Sequence, residues 1–260
     1  MAEWIDVEKA RELPGLRLVL TAGLPGPWGE AAKGVFHVKG IPFARVRQDA
    51  GAPNDALFAW TGHRNAPIAV YRDEPGRAGW AEILFLAERL ASEPSLIPAD
   101  PAARAWMFGL SHELMSEQGF GWCRRLLLFK QGMGDADEPP PALRPILGRM
   151  LSQYGYSRAA AEAALPRVIG ILRLLSKQLR DSQRAGHEYL IGASLSALDI
   201  HWAAMAALID PLPKELCPMP EGMRTSYSTL DPRIREAIDP ALMAHRTMIY
   251  ERHLELPVEL

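Results

Sequence analysis

Residues 189–211 read YLIGASLSALDIHWAAMAALIDP, and this stretch contains both a helix start and the apolar helix that follows it. Ser196 is the predicted N-cap. The carboxylate of Asp199, three residues on, can accept a hydrogen bond from the Ser196 N–H, which makes a capping box with Asp in place of the usual Glu or Gln. Residues 200–209 are apolar on most sides, with His201 as the titratable exception. This pattern predicts a buried helix.

The first third of the chain alternates short apolar strands with helices. Three segments have the composition of strands: 16–20 (LRLVL), 43–47 (FARVR) and 68–71 (IAVY). Three segments have helical patterns: 30–39, 56–61 and 80–91. Gly40 follows the first of these helices, where a glycine stop is expected. The order of elements predicts a small α/β domain.

A change in composition at residues 92–101 (SEPSLIPADP) marks the expected domain boundary, because three prolines over ten residues interrupt two helical patterns. The remaining chain is helical in character, with a proline-rich loop predicted at 132–145 and Pro166 expected to bend the longest helix. The predicted helices are 101–118, 120–130, 158–184, 200–209 and 240–254.

Composition excludes several classes of function. The chain has 260 residues, a net charge of -2 and a pI near 6.4, with no run of Lys or Arg, so neither a nucleic-acid nor an anionic-membrane partner is expected. Cys123 and Cys217 are too few for a disulfide framework, and no His and Cys residues have zinc-ligand spacing. The charged N-terminus lacks the apolar core of a signal peptide, so the expected location is cytoplasmic.

The stretch at 189–211 closely resembles a known family segment. Gly192, a polar loop, a Ser or Thr cap and then Ala-x-Asp-Ile at the start of a buried helix resemble the capping box in the helical domain of the glutathione transferase superfamily. The resemblance implies a thioredoxin-like domain at 14–91, a linker at 92–98 and an all-helical domain at 99–254. It also implies glutathione as co-substrate and a homodimer, and the lack of zinc-ligand spacing predicts no metal.

Pro67 opens the third predicted strand. In thioredoxin-like folds this proline is cis, so the resemblance implies a cis Ala66–Pro67 bond. A cis peptide here leaves a backbone edge at Ala66 that can pair with a peptide-like ligand such as glutathione.

The loop after the first strand departs from the family. Active relatives carry Tyr, Ser or Cys here, where the side chain or the helix N-terminus stabilises the glutathione thiolate. Gly26-Pro27-Trp28 resembles the Cys-Pro-Trp of the thiol-using branches with glycine in place of the cysteine. The hydroxyl available is that of Thr21, which is either a catalytic group or an ordinary strand-end residue. Trp28 is expected to lie at the glutathione site.

A second departure lies at the start of the helix at 80–91. Relatives commonly carry Glu-Ser there, and the serine and backbone hold the γ-glutamyl carboxylate of glutathione. Aligned on Ile83, the corresponding pair is Gly79-Trp80, with Arg77 just upstream as a source of positive charge. Trp80 either lines the ligand site or packs as a helix-start aromatic.

The first helices of the helical domain carry candidate substrate residues, because the family's substrate cleft lies between its two domains. The cluster can orient an aromatic or acidic substrate, but each member alone is more typical of an ordinary helix surface or interior. Its members are Trp106, His112, Glu113, Glu117, Trp122 and Arg124.

Two functional hypotheses follow. The first is a transferase that adds the thiolate of glutathione to a small apolar electrophile, activated by backbone N–H groups, Thr21 and a helix dipole. The second is a transferase-like protein that has lost catalysis and serves as a ligand-binding or protein-interaction module. The missing Tyr or Cys favours the second hypothesis, and the capacity of backbone alone to bind glutathione favours the first.

Overall fold

The computed structural model describes residues 3–136 and 138–260. The chain divides into two compact units. The first unit contains residues 1–96 together with two later segments, 212–220 and 250–260. The second unit contains residues 97–211 and 221–249. The domain boundaries expected at 91 and 99 stay a prediction, and two segments beyond residue 200 pack with the first unit.

A four-stranded mixed sheet forms the centre of the first unit, with strand order β1-β3-β2-β4. The strands are β1 (Trp4–Ile5), β2 (Leu16–Thr21), β3 (Ala44–Gln48) and β4 (Ile68–Tyr71). β3 is parallel to both β1 and β2, whereas β4 is antiparallel to β2. The three predicted strands are confirmed, each to within one residue at either end.

Four helices accompany the sheet: α1 (Val7–Glu12), α2 (Pro27–Val38), α3 (Asp55–Thr61) and α4 (Trp80–Leu90). α2 begins three residues before the predicted start, because Pro27 occupies the first helical turn, where its missing N–H costs nothing. It ends at Val38, and Gly40 follows at a φ of 63°, a left-handed conformation that glycine adopts without strain.

The N-terminal strand and helix were not predicted from the sequence. Ile5, Val7 and Ala10 are buried in one cluster with core residues of the central strands, such as Val19 and Val46. β1 thereby adds a strand beside β3, at the edge of the sheet that would otherwise be open. The first unit therefore includes this strand and helix, and the domain boundary expected at residue 14 stays a prediction.

The C-terminal segment completes the first unit. Arg45 of β3 is buried and forms ion pairs with Glu255 and Glu259. The carbonyl of Glu259 accepts a hydrogen bond of 2.7 Å from Lys33 Nζ, and the carbonyl of Leu260 accepts one of 3.2 Å from the Trp4 indole. The two ends of the described chain therefore meet beside β1 and β3.

The second unit is all-helical, as predicted. The longest helix of this unit contains Pro166 and continues past it. The helices are α5 (Pro101–Met115), α6 (Phe120–Met133), α7 (Arg144–Gln153), α8 (Arg158–Arg184), α9 (Ala197–Met205), a 3₁₀ turn (Ala206–Leu208), α10 (Glu221–Ser228), α11 (Pro232–Ala237) and α12 (Pro240–His253), whose last four residues belong to the first unit. The loop predicted at 132–145 is shorter than expected, because α6 extends to Met133 and α7 starts at Arg144.

The capping box at α9 is present and buried. Asp199 accepts hydrogen bonds from the N–H of Ser196 at 2.9 Å and from its hydroxyl at 2.8 Å. The same carboxylate accepts one of 2.8 Å from the N–H of Leu190 and lies 3.0 Å from Nε2 of His245. Asp199 is fully buried. It therefore ties the start of α9 to the preceding loop and to α12, beyond the capping role that the sequence predicts.

His201 provides a testable pH dependence. It is buried in α9 with Nδ1 3.0 Å from the Ser111 hydroxyl, and burial lowers its pKa to about 3. An unfolded histidine has a pKa near 6.5. The unfolded state therefore binds more protons between these values, so stability is lost as the pH falls below about 6.5, by up to about 1.4 kcal/mol per pH unit. Urea unfolding from pH 7 to 4 should show this slope, and His201→Asn should remove it.

No helix in residues 3–136 or 138–260 has the length and apolar character needed to cross a membrane. In the same ranges, no three His, Cys, Asp or Glu side chains are grouped so that they can hold a metal ion.

Candidate functional site

Three backbone features of the first unit meet at one end of the sheet. Val19 of β2 pairs with Ile68 of antiparallel β4, and continuing this register brings Ala66 level with Thr21, at the end of β2 that leads to α2. Ala69 also forms an antiparallel bridge with Arg77, so the chain then returns to the same end of the sheet before α4 begins. The starts of α2 and α4 therefore lie beside the Ala66 backbone, and we call this place the sheet-end site.

The start of α2 has an open position at Gly26, where the resemblance implies a cysteine in the thiol-using branches of the superfamily. Gly26 is the N-cap, with φ -65° and ψ 120°, which any residue adopts. A Cβ added at Gly26 would meet no atom within 4 Å. Among the described residues the N–H of Gly29 has no hydrogen-bond partner, so it adds to the positive end of the helix dipole. Trp28, half-buried, lies in the same turn.

Thr21 already has a partner for its hydroxyl proton. Its Oγ1 donates to Oε1 of Gln48 at 2.8 Å. The Gln48 amide is oriented by its own Nε2, which donates to the carbonyls of Asp49 and Arg64. Oε1 can only accept, so the Thr21 proton is directed to Gln48. A thiolate needs a donor, and in this arrangement Thr21 has none to offer. A catalytic role for Thr21 stays a prediction with this contact against it.

Ala66 provides a backbone edge. The Ala66–Pro67 bond is cis, as the resemblance implied. Within the described chain, neither the N–H nor the carbonyl of Ala66 forms a hydrogen bond, since the β4 ladder begins at Ile68. Both groups are therefore able to pair with the backbone of a peptide-like ligand.

The start of α4 is partly occupied by its own carboxylate. Glu82 Oε2 accepts a hydrogen bond of 3.1 Å from the N–H of Gly79, the N-cap of the helix. In relatives with Glu-Ser at this place, the helix start holds the carboxylate of glutathione. Glu82 therefore adds a negative charge where a ligand carboxylate would bind. Trp80 is half-buried in the first turn, at the position of the serine.

Arg77 is engaged in an ion pair. Its Nη2 lies 2.6 Å from Glu74 Oε2, and Arg89 donates to both oxygens of the same carboxylate. These hydrogen bonds, from Arg89 first and then from Arg77, lower the pKa of Glu74. Much of the positive charge that the sequence assigns to the site is therefore neutralised by Glu74.

The two cysteines do not supply the missing thiol. Both are buried. Cys123 lies in α6 of the second unit, where burial raises the pKa of its thiol to about 11. A thiol with this pKa is protonated at neutral pH and is a poor nucleophile.

The candidate substrate residues of the second unit form separate pairs. Trp106 of α5, 46% exposed, donates its indole N–H to Gln178 of α8 at 2.7 Å. Glu113 pairs with Arg167 of α8, a partner that spacing within α5 does not reveal.

The other candidates have different surroundings. His112 and Glu117 are exposed on or just after α5. Trp122 packs against Tyr154, with ring centroids 4.6 Å apart and the two rings tilted by 49°. Arg124 is buried in α6 and contacts backbone carbonyls. The described contacts therefore do not bring Trp106, Glu113 and Trp122 together.

Solved structures of glutathione transferases have the same fold as this chain. A glutathione S-transferase from Methylobacillus flagellatus with glutathione bound aligns with a TM-score of 0.63 at 16% identity, covering 91% of this chain and 95% of that one. A glutathione S-transferase from Methylobacterium radiotolerans in complex with glutathione sulfonate gives 0.62 at 16% identity, covering 91% of each chain. The beta-etherase LigF from a Sphingobium strain gives 0.61 at 20% identity, covering 92% and 96%.

No protein-family model matches the chain, and no curated protein matches it. The chain has the fold of the glutathione transferase superfamily, with a thioredoxin-like N-terminal domain and an all-helical domain. At these identities it is a divergent example of that fold.

Two residues of the sheet-end site were missed by sequence reasoning. Glu82 stands three residues after the Gly79 cap, and this capping spacing is a signal that the sequence already contained. Gln48 gave no such signal, because its contact with Thr21 joins residues 27 apart on neighbouring strands.

Proposed function

We propose that this chain binds glutathione at the sheet-end site and adds its sulfur to a small apolar electrophile. The observation that carries the proposal is the meeting of the Ala66 backbone with the starts of α2 and α4 at one end of the sheet. Each of these features binds through main-chain groups, so none depends on the side chains that this sequence lacks.

Each part of glutathione has a candidate partner. The Ala66 N–H and carbonyl suit the backbone of the cysteinyl residue, and the start of α4 suits the γ-glutamyl carboxylate. The sulfur then lies toward the start of α2, where the Gly29 N–H and the helix dipole favour a thiolate over a thiol. Trp28 and Trp80 are proposed to border the ligand.

The proposed reaction needs one deprotonation and one bond-forming step. The thiol proton passes to solvent, and the thiolate attacks the electrophilic carbon, whose leaving group departs with the bonding electrons. Stabilisation by helix N–H groups lowers the cost of forming the thiolate near neutral pH. The electrophile itself is not specified by the site.

A second candidate function is ligand binding without catalysis. It is favoured by Glu82 at the start of α4, by the Thr21 proton directed to Gln48, and by Gly26 in place of a thiol. Under this alternative, glutathione binds weakly and no conjugate forms. The homodimer and the cytoplasmic location implied by the resemblance belong to the proposal in either form.

Calorimetric titration of Trp80→Ser with glutathione tests the site. The variant restores the hydroxyl that relatives use for the carboxylate, and a hydrogen bond to a charged group contributes about 1.5–3 kcal/mol. We therefore expect glutathione to bind about ten-fold to a hundred-fold more tightly than to the wild type. Trp106→Ser, which removes an indole from the second unit, is the matched control and should leave the affinity unchanged.

The same variants separate the two functions. Conjugation is measured with an activated chloronitrobenzene, whose chloride leaves as the sulfur bonds to the ring. A glutathione-dependent rate above the uncatalysed reaction supports the transferase, and measurable binding without such a rate supports the non-catalytic module. If Trp80→Ser instead weakens binding, the indole belongs to a differently built glutathione pocket. If neither protein binds glutathione, both functions are wrong.

A further inference from the structure

The second unit contains a cleft that the sheet-end site does not use. It has a volume of about 520 Å³, within the range of small-molecule sites, and is lined by α6, α8 and the segment 229–234. We call it the Arg124 cleft, after the buried arginine among its lining residues. All of its lining residues belong to the second unit.

Arg124 carries a charge without a counter-ion. It is 2% exposed, and no carboxylate of the described residues forms an ion pair with it. Burial lowers its pKa to about 10, so the guanidinium remains charged at neutral pH. Its hydrogen-bond acceptors are four main-chain carbonyls, of Leu208, Ser226, Tyr227 and Thr229.

One nitrogen of this guanidinium is unused. Nε donates to the Leu208 carbonyl at 3.0 Å, and Nη2 donates to the other three carbonyls. No described hydrogen bond uses Nη1. A buried cation held by neutral groups leaves a positive potential in the adjacent space, because the carbonyl dipoles offset the charge without cancelling it.

The other charges around the cleft are paired. Lys130 lies 3.4 Å from Glu162, and Arg233 lies 3.0 Å from Asp231. Each pair is neutral as a whole. The excess charge of the cleft is therefore the single positive charge of Arg124, which favours a ligand with one negative charge.

Part of the cleft wall is apolar. Leu127, Leu165 and Leu230 line it. The carbonyl of Glu162 adds an acceptor, because Pro166, four residues later inside α8, has no N–H to donate to it. This surface matches a ligand that has an apolar body and one anionic group. It also accommodates one hydrogen-bond donor on the ligand.

We propose that the Arg124 cleft binds a small organic acid, whose carboxylate contacts Nη1 of Arg124 and whose apolar body packs on the leucines. The proposal does not depend on glutathione binding at the sheet-end site. A carboxylate carries one negative charge and accepts charge-assisted hydrogen bonds from a guanidinium nitrogen. Packing of the apolar body on the leucines adds affinity that the charge alone does not supply.

Calorimetric titration with 2-naphthoate and its neutral amide, 2-naphthamide, tests the proposal on the full chain. The two probes share one apolar body and differ in charge. We expect 2-naphthoate to bind at least ten-fold more tightly, and the difference to shrink as salt is added. Equal affinities for the acid and the amide would overturn the proposal.

Two variants locate the binding. Leu165→Trp fills the cleft without removing Arg124, and should weaken 2-naphthoate binding at least ten-fold. Leu143→Trp, at a position that is 49% exposed and outside the cleft, is the matched control and should change nothing. Unchanged affinity in Leu165→Trp would place the acid elsewhere and refute the proposal.

Arg124→Met tests the charge directly and should abolish the preference for acid over amide. The variant also removes the donor to four carbonyls, so its folding is checked first by circular dichroism. If it does not fold, the acid–amide comparison and Leu165→Trp decide the outcome without it.

Discussion

Replacing Asp199 with alanine is expected to lower the free energy of unfolding by about 3–5 kcal/mol, the range for removing one partner of a buried charged network. The sequence alone predicts about 0.5–2 kcal/mol, the cost of losing a helix cap. The larger figure follows because the buried carboxylate accepts from Leu190 as well as Ser196 and lies beside His245. Urea denaturation of both proteins at pH 7 measures the difference.

Asp100→Ala is the matched control for this prediction. Asp100 also caps a helix, accepting from the Ala103 N–H at 2.8 Å, but it is exposed and makes no buried contact. Its loss should cost only about 0.5–2 kcal/mol. Equal losses in the two variants would reduce Asp199 to an ordinary cap. An unchanged stability with a lost activity would assign Asp199 to chemistry instead.

Replacing Gly26 with cysteine is expected to create a reactive thiol. The new side chain meets no atom within 4 Å, and the backbone is already in an ordinary conformation. A thiol at a helix N-terminus has its pKa lowered from about 8.5 toward 3.5–7.5, because the N–H groups and the dipole favour the thiolate. The thiolate fraction at pH 7 should rise roughly ten-fold or more over that of an ordinary cysteine.

The rate of alkylation as a function of pH measures this pKa. The natural Cys123 and Cys217 are buried and should react slowly. Gly148→Cys is the control, because it lies inside α7 with equal room for a Cβ and should keep an ordinary pKa. Gly26→Cys should also gain disulfide exchange with oxidised glutathione. In this reaction the thiolate introduced at position 26 attacks the glutathione disulfide, forms a mixed disulfide and releases one glutathione as the thiolate. An ordinary pKa at position 26 would show that the start of α2 does not stabilise a thiolate.

Elements with strong local signals were predictable from the sequence. The helix 158–184 matches its predicted bounds, because apolar residues repeat along one side of it. β4 was predicted because it follows Pro67 and contains β-branched residues. These signals act over a few residues, so they can be seen without tertiary contacts.

Elements that depend on distant contacts were not predictable. β1 has two residues, Trp4 and Ile5, too few to show the alternation of a strand, and it forms because β3 lies beside it. The short helices α10 and α11 lie among prolines and lack a long apolar stripe. The contacts of Arg45 with Glu255 and Glu259 join residues more than 200 positions apart.

The candidate site divides in the same way. The sequence locates Gly26, Ala66 and Gly79 through the order of elements around them. It does not show that Thr21 donates to Gln48. It also does not show that Trp106 contacts Gln178 whereas Trp122 contacts Tyr154. Side-chain partners of this kind are set by packing between elements, which no local spacing encodes.

The return of residues 250–260 to the first unit bears on the order in which the protein takes shape during synthesis. All four strands of the sheet are synthesised within the first 71 residues. The contacts of Arg45 and Lys33 with Glu259 cannot form until that residue is made, almost 200 residues after the last strand. At about 5–20 residues per second, this delay lasts on the order of 10–40 seconds. The unit that is made first is therefore the last to be completed.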